Sequence, residues 1–110
     1  MTHTPGDVIL IDLGSSIGRE QAGTRPAIFV SEEGGVSLII PLSTNMARLQ
    51  FKGTTLIEPD SSNKLNKSSV ALVFQLRAVD LFRIAHRIGA LSTKDKRALN
   101  RVLRSITLIK

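Results

Sequence analysis

The 110-residue chain is 42% hydrophobic, lacks cysteine and carries a net charge of +6, gathered in residues 56–110, where eleven Lys/Arg face four Asp/Glu. Its length suits one folded domain (1–110) with a modest core and a shallow or subunit-shared site, its hydrophobic fraction is ordinary for a folded domain, and the absence of cysteine excludes disulfides, thiolate metal sites and cysteine nucleophiles. No apolar run approaches the ~20 residues of a membrane helix and no basic region precedes the first apolar stretch, so no membrane partner is expected and a cytoplasmic location is.

Gly6-Asp7 precedes Val8–Leu13, a β-rich run apolar on both sides that predicts a largely buried strand. Gly18-Arg19-Glu20-Gln21-Ala22-Gly23-Thr24-Arg25-Pro26 follows as a loop longer than chain reversal needs, rich in polar and charged side chains. Ala27–Ser31 predicts a second strand, Glu32-Glu33-Gly34-Gly35 a tight turn, and Val36–Pro41 a third strand paired with the second as a hairpin. Ser43–Thr54 reads as a loop, Thr55–Ile57 as a short strand ended by Pro59-Asp60, and Asp60–Ser69 as a plain, mobile surface loop.

Ser69–Leu76 returns to a β pattern, Val79–Ile84 suggests a helical turn, and Arg87–Leu91 a last short strand. Ser92, with Asp95 three residues on, resembles a capping box and opens the clearest helix. There Ala98, Leu99, Val102, Leu103 and Ile106 form an apolar stripe opposite Arg97, Arg101 and Arg104. Five or six short strands and a terminal helix predict a mainly β fold with helices (α+β), a small curved sheet or barrel closed by the C-terminal helix.

The basic second half suits a polyanionic partner, either nucleic acid or an acidic protein segment. With no Trp or Tyr and only four Phe, base-stacking platforms are poorly supplied, so nucleic acid would be held mainly by charge and hydrogen bonds. His3 and His86 lie far apart and no HExxH, Gly-x-Ser-x-Gly or phosphate-cradling glycine motif is present, so no metal site or cofactor is expected.

What remains is Glu20 and Arg25, with Ser43 and Thr44 just past the third strand. A hairpin of strands two and three places Arg25 near Ser43. An arginine, a hydroxyl and a carboxylate together suit attack on a phosphodiester whose nucleophile is the RNA 2′-OH. Arg25 then stabilises the phosphorane charge with its planar fork, Glu20 is the candidate base, and Ser43 hydrogen-bonds the phosphate. Because arginine holds its proton at neutral pH, proton donation by Arg25 is the weaker assignment. The same trio also fits an ordinary ion pair beside a Ser/Thr turn, and residue chemistry alone leaves both readings open.

Taken in order, Gly6-Asp7, Gly18-x-Glu20-Gln21-x-Gly23-x-Arg25-Pro26, Pro41-Leu42-Ser43-Thr44, Gln75-Leu76-Arg77-Ala78-Val79-Asp80 and Ile88-Gly89-x-Leu91-Ser92 resemble the MazF/PemK family of toxin endoribonucleases. The resemblance implies an SH3-like barrel, a homodimer, an acidic antitoxin as partner, and metal-independent cleavage of single-stranded RNA to a 2′,3′-cyclic phosphate and a 5′-hydroxyl. It carries the family's catalytic roles onto Arg25, Ser43 and Glu20, and RNA contacts onto Gln21, Thr24, Thr44, Asn45, Gln75 and Arg77. Phe74 stands where family members often have a sometimes catalytic aspartate, and reads as core. Ser43 stands where threonine is common, a change that keeps the hydroxyl. The alternative is a non-catalytic module on the same fold, either an RNA binder or a protein inhibitor like the related gyrase-poisoning toxins.

Overall fold

The structure, a computed structural model, describes residues 3–12 and 23–107. Among these, the chain runs β1 (Asp7–Asp12), β2 (Thr24–Glu33), β3 (Val36–Ser43), β4 (Thr54–Ile57), β5 (Ser69–Leu72), β6 (Arg77–Asp80), β7 (Ile84–Ala90) and the helix α1 (Thr93–Thr107). All pairings are antiparallel, in the order β4-β5-β3-β2-β1-β7, with β6 also on β3. Register shifts between β1 and β7, and between β2 and β3 at Phe29/Ser31, insert the extra residues that bend and twist strands. The mainly β fold with one terminal helix is as expected, but β4 and β7 do not pair with each other and the hydrogen-bonded ring of a closed barrel stays open.

β2 and β3 run further than the apolar runs that announced them, because polar Thr24, Arg25, Glu32, Glu33 and Ser43 continue the strands into solvent-facing positions. The segment Val79–Ile84 holds the end of β6 and a single 3₁₀ turn at Leu81–Arg83 rather than one helical turn. The strand expected at Arg87 begins earlier, at Ile84.

Two apolar clusters occupy opposite sides of the sheet. Val8, Ile28, Ile40, Ile57, Val73 and Leu91 are buried together with Leu99, and Val102 and Leu103 pack against them, so the stripe on α1 covers this side. Ser92 caps the helix, its Oγ accepting the Asp95 N–H at 3.1 Å, while Arg97, Arg101 and Arg104 face water. Ile106, expected in that stripe, is exposed and lies beside Gly53, just before β4. On the second side Ile9, Ile11, Ala27, Phe29, Ile39 and Val79 form a smaller cluster that α1 does not cover.

The N-terminal turn is fixed by Asp7, which is buried on β1. Its carboxylate accepts the Thr4 N–H at 2.8 Å and the Arg87 Nε–H at 3.1 Å, joining the start of β1 to β7. Gly6 precedes it at φ +97°, a conformation that L side chains resist.

The polar stretch after Pro59 is not the plain surface loop its composition suggested. Asn63 is fully buried there. Its Oδ1 accepts the Asp60 and Leu65 N–H groups at 3.1 and 2.9 Å, and its Nδ2 donates to the Glu58 carbonyl at 2.9 Å. Ser62 ties the segment to β7, its carbonyl accepting from Ala90 N–H at 3.0 Å and its hydroxyl donating to the Ala90 carbonyl at 2.7 Å. One internally satisfied asparagine thus does what an apolar residue would do elsewhere.

Candidate functional site

The site is created where β2 and β3 part. Their pairing runs from Glu33↔Val36 to Ala27↔Pro41 and stops. Pro26 and Pro41 stand at adjacent positions of this register, so one of the two N–H groups they lack faces the β2–β3 ladder where it ends. Beyond Pro41, β3 turns to β5 instead, pairing Leu42 with Ala71 and Ser43 with Val70. Arg25 and Ser43, which an uninterrupted register would set opposite each other, instead stand on the two lips of a cleft of about 510 Å³.

The cleft floor is the uncovered side of the sheet, since Ile11, Ala27, Ile39 and Val79 belong both to the second apolar cluster and to the lining. Its polar walls carry Arg25, Ser43, Thr44, Asn45, Arg48, Ser69, Gln75 and Arg77. No carboxylate lines it among the described residues, and among them none of the three arginines forms an ion pair. An apolar floor under three guanidinium groups suits a ligand with flat bases and several negative charges.

The wall after β3 is built by a short relay. Ser43 Oγ accepts the Asn45 N–H at 3.1 Å, which leaves the hydroxyl hydrogen directed elsewhere. Asn45 Oδ1 accepts the Ala47 N–H at 3.1 Å and caps the 3₁₀ turn Met46–Gln50. Half-buried Arg48 sits in the last turn of that element and reaches the cleft from it. Gln75 enters from the 3₁₀ turn Val73–Gln75 that carries the chain from β5 to β6, and Arg77 from the first residue of β6.

Six of the nine residues singled out in the sequence line this cleft: Arg25, Ser43, Thr44, Asn45, Gln75 and Arg77. Thr24 is exposed at the start of β2 and is not among the lining residues. Glu20 and Gln21 lie outside the described residues. Arg48 and Ser69 were missed. The signal for Arg48 was Asn45 followed by Met-Ala-Arg-Leu-Gln, a capping residue ahead of good helix formers inside what read as loop. Phe74, expected in the core, is exposed and packs its ring 6.1 Å from that of Phe51, because the 3₁₀ turn ends the strand alternation at Val73.

Among the described residues no group of three or more His, Cys, Asp or Glu side chains comes together as a metal site. Among them, too, no helix is long and apolar enough to cross a membrane.

Arg48 gives this geometry a measurable consequence. On the expectation that this cleft takes single-stranded RNA, Arg48→Ala weakens that binding about tenfold and lowers the slope of log affinity against log salt by about 0.7, the share of one phosphate contact on a single strand. Titration at several salt concentrations checks this, and an unchanged slope would remove Arg48 from the phosphate-binding set.

Comparison with known proteins agrees along nearly the whole chain. Residues 4–107 match the family described as PemK-like, MazF-like toxin of type II toxin-antitoxin system. Endoribonuclease MazF of Staphylococcus saprophyticus is 32% identical over 103 residues, spanning 89% of this chain and 85% of that protein. The fold is similar to the crystal structure of MazF (Form-I) from Deinococcus radiodurans, with a TM-score of 0.75 at 19% identity over 99% of each chain. It is also similar to the Mycobacterium tuberculosis toxin MazF-mt6, with a TM-score of 0.73 at 15% identity over 94% of this chain and 98% of that one. With the family pattern matched from the first strand to the terminal helix, the chain belongs to the PemK-like, MazF-like toxins of type II toxin–antitoxin systems.

Proposed function

We propose that the chain is an endoribonuclease that cuts single-stranded RNA in the cleft between Arg25 and Ser43. The observation that carries this is the convergence of three arginines and a serine hydroxyl over an apolar floor whose described lining has no carboxylate. The activity named for the Staphylococcus relative supports the same reading.

In the proposed reaction the 2′-OH of the nucleotide before the cut attacks its own phosphorus, forming a 2′,3′-cyclic phosphate as the P–O5′ bond breaks, and the departing 5′-oxygen takes a proton from water to leave as a 5′-hydroxyl. Arg25 faces the non-bridging oxygens with two parallel N–H donors, and its attraction strengthens as charge builds on the phosphorane. Ser43, whose oxygen already accepts from Asn45, donates its hydrogen to the same phosphate. Arg77 and Arg48 hold neighbouring phosphates. Together these cations supply charge neutralisation without requiring a divalent ion.

No described lining residue is suited to take the 2′-OH proton, and we assign that role to Glu20. Its segment joins β1 to β2, and the flanking residues Ile11 and Arg25 both line the cleft. The other partners we propose are a second copy of the chain and an acidic antitoxin whose carboxylates would occupy the arginine-lined cleft in place of phosphate.

The test is incubation of purified protein with total RNA in EDTA, followed by mapping of new 5′ ends. Cuts recurring at one short sequence are expected. No cleavage of any RNA, together with inhibition of DNA gyrase, would replace the enzyme by a non-catalytic toxin on the same fold.

A further inference from the structure

Beside the cleft lies a second hollow of about 440 Å³, lined by Val36, Arg77, Ala78, Val79, Asp80 and Arg83. Arg77 and Val79 line both cavities, so one continuous surface leads from the proposed cutting site to Arg83. Next to Arg83 stands Phe82, 79% exposed, the most exposed of the large hydrophobic side chains among the described residues. The Arg83 guanidinium lies 5.7 Å from the centroid of the Phe82 ring.

This pair is firmly mounted. It belongs to the 3₁₀ turn Leu81–Arg83, whose first N–H donates to the Gly35 carbonyl at 2.8 Å. Arg83 Nη1 also donates to the Asp12 carbonyl at 3.4 Å. An aromatic ring held in water against a guanidinium, at the end of an arginine-lined path, has the parts of a single-strand subsite: a stacking face and a phosphate ligand.

We propose that RNA leaving the cleft past Arg77 enters this second subsite, where Phe82 stacks a flanking base and Arg83 binds the adjoining phosphate. The inference rests on the endoribonuclease reading and extends it to a nucleotide beyond those at the cut. One carboxylate, Asp80, lines the hollow beside the two arginines. Stacking is tolerant of base identity, so the subsite adds affinity for longer RNA with little added sequence preference. It adds one stacking contact to a strand otherwise held, as the scarcity of aromatics leads one to expect, mainly by charge and hydrogen bonds.

The test uses RNA carrying the mapped cleavage sequence with a 2′-deoxy nucleotide at the cut, so that it binds without being cleaved. One form is the short core, and two others extend it on the 5′ or the 3′ side. Wild type is expected to bind one extended form about tenfold more tightly than the core. Phe82→Ala and Arg83→Ala each lose most of that gain and bind the core as wild type does, while Phe82→Trp keeps it. Phe82 is exposed and Arg83 half-buried, and a thermal melt of each variant confirms the fold.

If wild type cleaves the all-ribose core and binds its 2′-deoxy form but gains nothing from either extension, the subsite is overturned and the enzyme reading stands. If Phe82→Ala leaves the gain intact, or changes self-association without changing RNA affinity, the Phe82 surface belongs to something else, a second copy in the latter case. If wild type neither binds nor cleaves the core, both readings fall.

Discussion

Arg25→Ala is expected to lower the rate of RNA cleavage at least 10²–10³-fold while leaving the melting temperature unchanged. The rate estimate follows from removing one preorganised donor aimed at developing transition-state charge, a loss of roughly this size wherever it has been isolated. The separation from stability follows from position. Arg25 is exposed at the lip of the cleft, and among the described residues no ion pair depends on it. Arg25→Lys is expected to fall between the two, because it keeps the charge and loses the bidentate fork. The effect should be mainly on kcat, since Arg48 and Arg77 remain to bind the strand. In cells, induced wild type should arrest growth and Arg25→Ala should not. Equal arrest by both would remove Arg25 from the chemistry.

Gly89→Ala is expected to destabilise the protein by about 3 kcal/mol, lowering the melting temperature by more than about 10 °C. A Cβ at this position would lie 2.5 Å from the Ser62 carbonyl oxygen and 2.6 Å from that of Asn63. Both obstacles are backbone, and neither can swing aside as a side chain would. Relief requires β7 to separate from the 60–65 segment, which breaks the Ala90–Ser62 hydrogen bonds and loosens the buried Asn63. Ser62→Ala serves as the comparison. It removes the hydroxyl bond to the Ala90 carbonyl and should cost about 1 kcal/mol. A melting temperature for Gly89→Ala close to wild type would show that the two segments are not pressed together as described.

These two positions also show what the sequence revealed and where it fell silent. Strand periodicity located β1 and the β2–β3 hairpin, and the hairpin alone brought Arg25 toward Ser43, because both sit at the same end of two paired strands. The terminal helix was legible from its cap and stripe, since both are local features. Asn63 was not legible. Its polar neighbours announce a loop; its hydrogen bonds are local to that segment, but the contact of the segment with β7 is tertiary and leaves no local pattern. Gly89 was recognisable as part of a family pattern, but its physical reason lies in a partner more than twenty residues earlier in the chain. Arg48 was hidden because a 3₁₀ turn has no amphipathic period to detect. The cleft itself lies where β3 leaves β2 for β5, a change of partner that appears only once the strands are aligned.

The measurement closest to the central claim compares two RNAs identical except for a single 2′-deoxy nucleotide immediately before the mapped cut. If the RNA's own hydroxyl is the nucleophile in the Arg25–Ser43 cleft, the all-ribose strand is cut, its upstream product ends in a 2′,3′-cyclic phosphate and its downstream product begins with a 5′-hydroxyl, and the substituted strand stays intact. Cleavage of the substituted strand at the same position, or products bearing a 5′-phosphate, would contradict that account.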